Sequence, residues 1–248
     1  MGRRVYRTGM AAALAASTAA LTLLLVDQAG GQQAAAALTR SWPDWAKWLA
    51  ACLGGYLLGS IPFGYIVIGI LRERDLTTEG SGRTGGTNAM RAGGLGAGAL
   101  TVAGDVCKGM AAVALARAVM PGALWAEVLA GWGAVFGHNA SIFVGFRCGA
   151  GSGPNMGVAA AFWPPSLAFT LACFPISMFV IRYASVGSIL IAAVIVVIFT
   201  IRAALGHSPV EYIGYGLGAT ALVLYALRPN IERLVQGKEK PIALPDKK

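Results

Sequence analysis

The sequence contains few charged residues. Of its 248 residues, 12% are Asp, Glu, Lys or Arg and 56% are hydrophobic, whereas about 25% of the residues in a typical soluble domain are charged. This scarcity excludes an ordinary soluble domain and predicts an integral membrane protein. The net charge of +9 does not indicate nucleic-acid binding. Its basic residues stand singly between apolar runs, as in loops that face anionic lipid headgroups or anionic substrates.

Cysteine and histidine are also scarce. The four cysteines form no CxxC pair and no cluster with the two histidines, so neither a disulfide scaffold nor a structural metal site is expected. The chain has no GK[ST], HEXXH or GxSxG motif. This argues against nucleotide hydrolysis, zinc proteolysis and serine-triad chemistry. No cofactor is expected.

What the sequence does contain is a series of apolar segments of membrane length. They cover Trp48–Leu71, Leu95–Met120, Ala123–Val144, Met156–Ile181, Ser185–Ile201 and Pro209–Leu227. Pro62 should kink the first segment, and Pro164-Pro165 should divide the fourth into a hairpin that crosses and returns. The prediction is an all-α integral membrane protein with about seven transmembrane helices, some short or broken.

The two ends of the chain differ from this core. Residues 1–46 combine three early arginines, an apolar run at Met10–Val26 and a polar, small-residue stretch. This pattern is typical of a signal-like or signal-anchor segment with an extracytoplasmic linker, and the sequence leaves open whether it is cleaved. Residues 47–237 form the predicted membrane-embedded domain. Residues 238–248 form a basic cytoplasmic tail.

The distribution of Lys and Arg predicts which side each loop occupies. One set of connections comprises Arg72–Gly94, Gly145–Asn155, Arg182–Ala184 and the chain from Arg228 onward, and together they hold twelve Lys and Arg residues. The opposite connections hold none. Because cytoplasmic loops carry the excess of positive charge, the first set should face the cytoplasm. The predicted location is the cytoplasmic (inner) membrane.

Two glycine-rich stretches share this predicted cytoplasmic face. They are GSGRTGGTNAMR at Gly80–Arg91 and FRCGAGSGPNMG at Phe146–Gly157. Glycines let backbone N–H groups approach an anion, while hydroxyl groups and arginines add donors and positive charge. Such stretches indicate a phosphate site, although either one alone is also typical of a flexible connector. Helix N-termini near Ser185 and Asn155 could add dipole stabilisation for the anion.

Ionisable residues within the predicted spans are rare. Asp105 and Lys108 lie three residues apart on one helical face, where they form either a self-neutralising ion pair or the wall of an anion site. His138 follows a glycine near the end of the third apolar segment. A lone histidine there is more often a hydrogen-bonded packing residue than a base. Its assignment is open between these two roles.

Six motifs in this order resemble those of the bacterial acyl-phosphate-dependent glycerol-3-phosphate acyltransferases. The resemblance runs from about Trp48 to Gly237. The family typically has GSGNxGxTNxxR where this chain has GSGRTGGTNAMR. The other motifs are GSIPFG at Gly59–Gly64, DVCKG at Asp105–Gly109, GH at Gly137–His138, RYASVGSI at Arg182–Ile189 and NIERLVQGKE at Asn230–Glu239.

The resemblance implies a cytoplasm-facing enzyme that transfers an acyl group from acyl phosphate to the 1-hydroxyl of glycerol 3-phosphate. The product is lysophosphatidic acid, and no acyl-enzyme forms. The implied partners are glycerol 3-phosphate, acyl phosphate and membrane lipids, with no nucleic acid. By resemblance, the catalytic residues are Ser81, Arg91 and Asn230. The implied phosphate- and substrate-binding residues are Gly80, Gly82, Thr87, Asn88, Lys108, Gly149, Gly151, Gly153, Ser185 and Ser188.

The chain departs from the family pattern at two places. The second glycine-rich loop of the family is typically GGKGVAT, and its lysine is replaced here by Ala150. The family also has a histidine three residues before the tail asparagine, where this chain has Leu227. Both losses remove cationic or proton-handling groups. We expect Arg147 and Arg228 to compensate, or Arg91 with Ser81 and Arg83 to carry more of the anion binding than usual. The alternative is a divergent member of the family with an altered substrate, or one with weak or no activity.

Two other functional classes fit the same residues. One is a non-catalytic lipid- or anion-binding membrane protein on the same scaffold, which would bind phosphate without turnover. The other is a small anion transporter, suggested by broken helices around a polar centre. The transporter hypothesis is weaker, because the sequence shows no inverted repeat. The sequence does not fix the oligomeric state or the acyl-chain preference.

Overall fold

The computed structural model describes residues 37–146 and 149–242, and within these ranges it contains helices and no β-strand. The α-helices of eight residues or more in these ranges are α1 (Asp44–Gly59), α2 (Phe63–Arg72), α3 (Gly86–Gly93), α4 (Leu95–Val119), α5 (Leu124–Asn139), α6 (Ser152–Phe162), α7 (Ser166–Pro175), α8 (Ala184–Ala204) and α9 (Glu211–Val235). Short 3₁₀ turns lie at Leu76–Thr78 and Ile142–Val144. The all-α prediction is confirmed.

Prolines divide the apolar segments where the sequence predicts. Helix α1 ends at Gly59 and α2 begins at Phe63, with Pro62 immediately before the new helix. Pro164-Pro165 separates α6 from α7 in the same way. At Pro175 the helix does not end: it continues as a π-helical stretch, Ile176–Ile181. A proline inside a helix removes one hydrogen bond, and wider local winding accommodates that loss.

Within residues 37–146 and 149–242, three segments are long and apolar enough to cross a membrane by themselves. They are Asp44–Arg72, which comprises α1 and α2, together with α4 and α8. This agrees with an integral membrane protein, although it does not establish seven crossings. Residues 1–36 of the predicted N-terminal segment and residues 243–248 of the predicted tail lie outside the described ranges.

Small residues let the central helices approach closely. A Cβ atom added to Gly55 or Gly59 of α1 would overlap the backbone of α5 at Ala130 or Ala134. The α4–α6 interface is built in the same way, because Gly109 lies against the carbonyl of Pro154. Membrane helices pack closely through such small-residue faces. These contacts hold α4, α5 and α6 around one core, and that core supports the site.

Polar clusters mark the two ends of the bundle. At one end, Arg117 Nη2 donates to Glu127 Oε2 at 3.0 Å and to the Ala161 carbonyl at 3.0 Å, and the Tyr212 hydroxyl donates to the same carboxylate at 3.1 Å. We call this end the opposite face. The end that carries both glycine-rich loops is called the loop face.

Candidate anion-binding and active site

Asn88 organises the first glycine-rich loop. Its side chain is only 3% exposed. Nδ2 donates to the carbonyls of Glu79 at 3.0 Å and Arg83 at 2.9 Å, with a longer contact to Leu76 at 3.4 Å. Oδ1 accepts from the backbone N–H of Ser81 at 3.1 Å. One buried amide at the start of α3 therefore fixes the path of the loop that precedes it.

The glycines of this loop allow the backbone path that Asn88 holds. Gly80 has φ +54°, a left-handed conformation that favours glycine. A Cβ atom at Gly80 would also overlap Asn88 Oδ1. Gly82 follows with φ +67°. Ser81 lies between these glycines with an exposed side chain, so the loop presents its hydroxyl to solvent.

Arg83 connects the first loop to the end of α9. Its Nη2 donates to Asn230 Oδ1 at 2.6 Å and to the Ala226 carbonyl at 3.1 Å. The two residues are more than 140 positions apart in sequence. This contact brings the predicted site residue Asn230 to the first loop. It also places a guanidinium group between the first loop and the end of α9.

The chain that follows α9 folds back over this contact. Asn230 Nδ2 donates to Glu239 Oε1 at 2.6 Å, Arg233 Nε donates to Glu239 Oε2 at 2.8 Å, and a longer contact of 3.4 Å joins the Ser185 hydroxyl to Oε1. Burial raises the pKa of Glu239, but the hydrogen bonds from Asn230 and Arg233 outweigh burial and hold its pKa below the ordinary value. The carboxylate thus ties the N-terminus of α8 to the end of α9.

The second glycine-rich loop rests on three buried ionisable residues. Lys108 is fully buried. Its ammonium lies 2.7 Å from Asp105 Oδ1 and 2.9 Å from His138 Nδ1, and it donates to the Ile61 carbonyl at 2.8 Å. Of the two roles left open for Asp105 and Lys108, the structure shows the ion pair. Because an ammonium group only donates, Nδ1 accepts and the imidazole proton lies on Nε2.

The second glycine-rich loop lies directly on Asp105 and His138. The backbone N–H of Gly149 donates to the His138 carbonyl at 3.0 Å, and a Cβ atom at Gly149 would overlap His138 Nε2. A Cβ atom at Gly153 would overlap Asp105 in the same way. Two of the predicted loop glycines are therefore needed for close approach to the buried charges. His138 is a hydrogen-bonded residue beneath the loop, and Lys108 supports the loop through it.

Helix α6 begins at this loop and contacts α8. Gly151 precedes the helix with φ +79°. The Ser152 hydroxyl lies 2.7 Å from that of Ser188, which donates to the Ala184 carbonyl at 3.1 Å. The backbone N–H groups at the start of α6 are therefore near the first turn of α8. A helix N-terminus of this kind suits an anion.

The structure thus brings together most of the predicted site. Asn230 and Ser185 meet at Glu239, Ser188 meets the second loop, and Asn88 shapes the first loop. Thr87 is partly buried in the first turn of α3. Ser81 and Arg91 are exposed, and within the described ranges neither side chain forms a hydrogen bond or ion pair. Their catalytic roles stay predictions.

The two departures from the family pattern share one apolar cluster. Leu227 is 1% exposed and forms a buried core with Ala192 and Val223, and Ala150 packs against this core. Apolar residues in contact with one cluster therefore occupy the two positions where the family pattern has lysine and histidine. Of the two arginines expected to compensate, Arg147 lies outside the described residues. Arg228 is exposed, with its guanidinium carbon 3.8 Å from the centre of the Tyr225 ring.

An apolar groove opens beside the site between α5 and α9. It has a volume of about 260 Å³. Its lining includes Phe136, Phe146, Leu222, Tyr225 and Arg228. A groove lined by apolar side chains and one arginine suits an amphiphile with an anionic head group.

Glu239 and Arg83 lie in the site, and neither was among the predicted site residues. Glu239 stood within the last motif, but a motif does not show that the chain turns back after α9. The sequence indicates both Arg83 and Arg91 as positive charges of the first loop, and Arg83 is the one that contacts α9. Among the described residues, no group of three His, Cys, Asp or Glu side chains could hold a metal ion.

Fold and site together define a helical membrane protein whose two glycine-rich loops lie at one end of the bundle. Comparison with known proteins agrees. A family model described as glycerol-3-phosphate acyltransferase matches residues 49–237. The glycerol-3-phosphate acyltransferase of Synechococcus sp. (strain JA-3-3Ab) is 40% identical over 201 residues, covering 81% of this chain and 96% of the relative. That of Shouchella clausii is 36% identical over 197 residues, covering 78% and 95%.

Solved structures show the same relation. The crystal structure of PlsY (YgiH), an integral membrane glycerol 3-phosphate acyltransferase, in its glycerol 3-phosphate form has a TM-score of 0.68 and 32% identity. The match covers 79% of this chain and 96% of that one. The lysophosphatidic acid form has a TM-score of 0.66 and 30% identity, covering 78% and 94%. The chain belongs to the glycerol-3-phosphate acyltransferase family.

Proposed function

We propose that this protein transfers a fatty acyl group from acyl phosphate to the 1-hydroxyl of glycerol 3-phosphate, giving lysophosphatidic acid and phosphate for phospholipid synthesis. Membership of the family supports this activity. The observation that carries it is the convergence of both glycine-rich loops with the ends of α8 and α9, through the Arg83–Asn230 and Ser152–Ser188 contacts. Two phosphate-bearing substrates need such an anion-binding surface.

The reaction needs positioning more than a protein nucleophile. The hydroxyl oxygen of glycerol 3-phosphate attacks the acyl carbonyl carbon. The bond from that carbon to the phosphate oxygen then breaks, and the hydroxyl proton passes to the leaving phosphate. Acyl phosphate is already an activated anhydride, so holding two anions together and stabilising the developing charge accounts for the catalysis.

We assign the residues by their place on the loop face. Ser81, Arg91 and Asn230 are the proposed catalytic residues. Gly80, Gly82, Thr87 and Asn88 form the first phosphate cradle, Gly149, Gly151 and Gly153 form the second, and Ser185 and Ser188 complete the wall. Lys108 acts from beneath, because its bond to His138 holds the second loop in place.

The placement in the membrane follows from the same proposal. Residues 47–237 form the acyltransferase unit, which crosses the cytoplasmic membrane about seven times with the loop face toward the cytoplasm. Residues 1–46 precede this unit as a signal-like or signal-anchor segment, and residues 238–248 follow it as a basic tail. The acyl chain lies in the groove between α5 and α9, open to the lipid, with its phosphate toward the loops.

Acyl transfer by the purified protein in detergent tests the proposal. With palmitoyl phosphate and glycerol 3-phosphate as substrates, lysophosphatidic acid should form well above a protein-free blank. Arg91→Ala and Asn230→Ala should each reduce turnover by at least about tenfold, as expected when one charge-assisted hydrogen bond is lost. Absence of product with correctly folded wild type would rule out the activity.

A second candidate is a non-catalytic phosphate- or lipid-binding protein on this scaffold. The observation that favours it is the apolar cluster of Ala150 and Leu227, where the family has proton-handling groups. It predicts that glycerol 3-phosphate binds without turnover. Activity that appears only in the Ala150→Lys/Leu227→His double variant would favour this candidate. An active wild type would exclude it.

A further inference from the structure

A cavity of about 520 Å³ opens on the loop face at the end of α2. Its lining comprises Ile70, Leu71, Arg72, Glu73 and Arg74 at the end of α2, and Ala92 in the last turn of α3. Of the described residues that line it, none is assigned to glycerol 3-phosphate or to acyl phosphate. The cavity is therefore a charged recess that the proposed reaction does not use.

The cavity lies where a membrane span ends. The segment Asp44–Arg72 is long and apolar enough to cross a membrane, and Arg72 is its last residue. Ile70 and Leu71, in the last turn of α2, are each 52% exposed. Apolar side chains exposed on a membrane span face the lipid chains, whereas an arginine at its end reaches the layer of head groups. The cavity therefore has an apolar wall toward the hydrocarbon and a charged wall toward the lipid phosphates.

Arg72 joins the end of α2 to the end of α3. Its Nη2 donates to the Gly93 carbonyl at 3.3 Å. A Cβ atom added to Gly93 would overlap Ile68 of α2, so the two helices are in contact here. A guanidinium has five N–H donors in a planar fork, and this hydrogen bond orients the fork at the cavity. The charged wall is thus positioned by the protein itself.

Arg74 brings a second guanidinium to the same cavity. The chain turns between the two arginines, because Glu73 has a left-handed backbone with φ +52°. The Arg74 side chain is 63% exposed, and its Nη1 lies 3.7 Å from Glu79 Oε1. That separation is too long for a hydrogen bond, and an exposed pair of this kind contributes little. A ligand phosphate can therefore compete for Arg74.

The charge of the lining favours an anion. Two arginines and one glutamate give the lining residues a net charge of +1. The next carboxylate along the chain, Asp75, accepts from the N–H and the hydroxyl of Thr77 at 2.8 Å and 2.6 Å and does not line the cavity. Guanidinium groups pair well with phosphate oxygens. Basic recesses between membrane helices are typical sites for anionic lipid head groups.

We propose that this cavity binds an anionic phospholipid, with Arg72 and Arg74 on the phosphate and the acyl chains against Ile70 and Leu71. The ligand chemistry is a phosphate ester, which a soluble metabolite also carries. The exposed apolar wall favours the lipid, because acyl chains gain from leaving water or disordered contacts for an apolar surface. Binding at this cavity requires no turnover, so it stands independently of the proposed acyl transfer.

Native mass spectrometry of the full-length protein in a non-ionic detergent tests the site by measuring the Kd of phosphatidylglycerol. One basic residue at a membrane surface raises the affinity for an anionic lipid about fivefold. Arg74→Gln should therefore weaken the Kd about fivefold, and Arg72→Gln/Arg74→Gln should weaken it about 30-fold. Glu73→Gln should tighten the Kd, because it removes the one negative charge of the lining.

Two controls separate a site from general attraction. Lys238→Gln/Lys240→Gln also removes two exposed positive charges from the loop face, but neither lysine lines the cavity. Its Kd should stay within about twofold of wild type. Phosphatidylcholine has the same phosphate with a compensating positive charge, so it should bind wild type more weakly and respond less to loss of the arginines. Excess glycerol 3-phosphate should not displace phosphatidylglycerol.

Three results would overturn the proposal. One is a wild-type Kd in Arg72→Gln/Arg74→Gln, and another is an equal loss in the lysine control. The third is displacement by glycerol 3-phosphate, which would assign the cavity to a soluble phosphate ester. If the double arginine variant does not fold, Arg74→Gln and Glu73→Gln decide, because both keep the Arg72–Gly93 hydrogen bond. Their Kd values should move in opposite directions, and a shift in the same direction, or no shift, would contradict the site.

Discussion

Gly149 gives the sharpest test at the scale of one residue. A Cβ atom there would overlap His138 Nε2, and the histidine is held from the other side by the buried Lys108. Gly149→Ala should therefore displace the second loop or the imidazole. The expected result is at least about a tenfold loss of kcat/KM in acyl transfer, because a small misplacement of a positioned group slows the reaction by such factors.

Gly96→Ala is the control for this substitution. Gly96 lies in the first turn of α4 with nothing within 4 Å of an added Cβ atom. Replacing a helical glycine with alanine stabilises by roughly 0.5–1 kcal/mol, so this variant should be active and slightly more stable. Equal activity of the two variants would show that contact with His138 is unimportant.

Asn88 is the second residue whose removal has a defined consequence. Asn88→Ala leaves the carbonyls of Glu79 and Arg83 and the N–H of Ser81 without their side-chain partner. Each lost hydrogen bond costs about 1 kcal/mol. The melting temperature should fall, and KM for glycerol 3-phosphate should rise. Asn88→Asp keeps only the acceptor that faces Ser81, so it should be nearly as damaging. A wild-type KM in both variants would contradict this role.

At this scale the sequence predicts the composition of the site better than its contacts. The glycines of the first loop are predicted by its composition, because glycines let backbone N–H groups approach an anion, whereas Asn88 is predicted only by the resemblance to the family motif. The contact of Arg83 with Asn230 spans most of the chain, and no local pattern encodes it. The exposure of Arg91 likewise depends on how α3 packs against α4.

At the scale of elements, the turn after α9 predicts a pH dependence. Because the folded-state pKa of Glu239 is lowered, its contribution to stability is fully present above the ordinary glutamate pKa and is lost as pH falls through the lowered value. Glu239→Gln should therefore melt at a lower temperature than wild type at neutral pH. The difference should disappear in acid, as the wild-type carboxylate becomes protonated.

Melting curves of wild type, Glu239→Gln and Glu232→Gln across this pH range measure the effect. Glu232 is exposed on α9, one helical turn before Gln236, and serves as the control. It should show no comparable difference at any pH. A gap between wild type and Glu239→Gln that persists unchanged in acid would mean that the carboxylate charge does not hold the turn against α8.

The groove between α5 and α9 predicts a change in chain-length preference. Leu222 lines this groove, whereas Leu224 lies two residues along the same helix outside its lining. Leu222→Trp should fill the groove and reduce activity with palmitoyl phosphate more than with a short-chain acyl phosphate. Leu224→Trp should preserve the wild-type ratio of the two rates. An unchanged ratio in Leu222→Trp would place the acyl chain elsewhere.

For the whole molecule, helix content and the main breaks follow from the sequence because long apolar runs and prolines act locally. The depth of the site within the helix bundle does not follow from the sequence. Asp105 lies ten residues into α4, about 15 Å along the helix axis, and Gly153 rests directly on it. The second loop is thus recessed into the bundle. This follows from close packing between α4 and α6, which a count of apolar residues does not reveal.

The number of membrane crossings depends on how many of the helical segments are long enough to span a membrane. Within the described ranges, seven helical segments remain when α1 and α2 are taken as one, the π-helical stretch is joined to α7 and the short α3 is left out. Three of these segments, within the described ranges, meet the length and apolarity of a membrane span. The others include α6, whose 11 residues extend only about 16 Å. Side-specific labelling is therefore needed to establish the topology.

Single cysteines in a protein whose four native cysteines are replaced by serine provide that measurement. Ser81→Cys and Gln236→Cys lie on the loop face, and His207→Cys lies between α8 and α9 at the other end; all three positions are exposed. A membrane-impermeant maleimide applied to intact spheroplasts should label only His207→Cys, because the basic loops stay inside. After permeabilisation, all three should react, which controls for accessibility. Labelling of Ser81→Cys from outside would reverse the proposed orientation and would separate the site from cytoplasmic glycerol 3-phosphate.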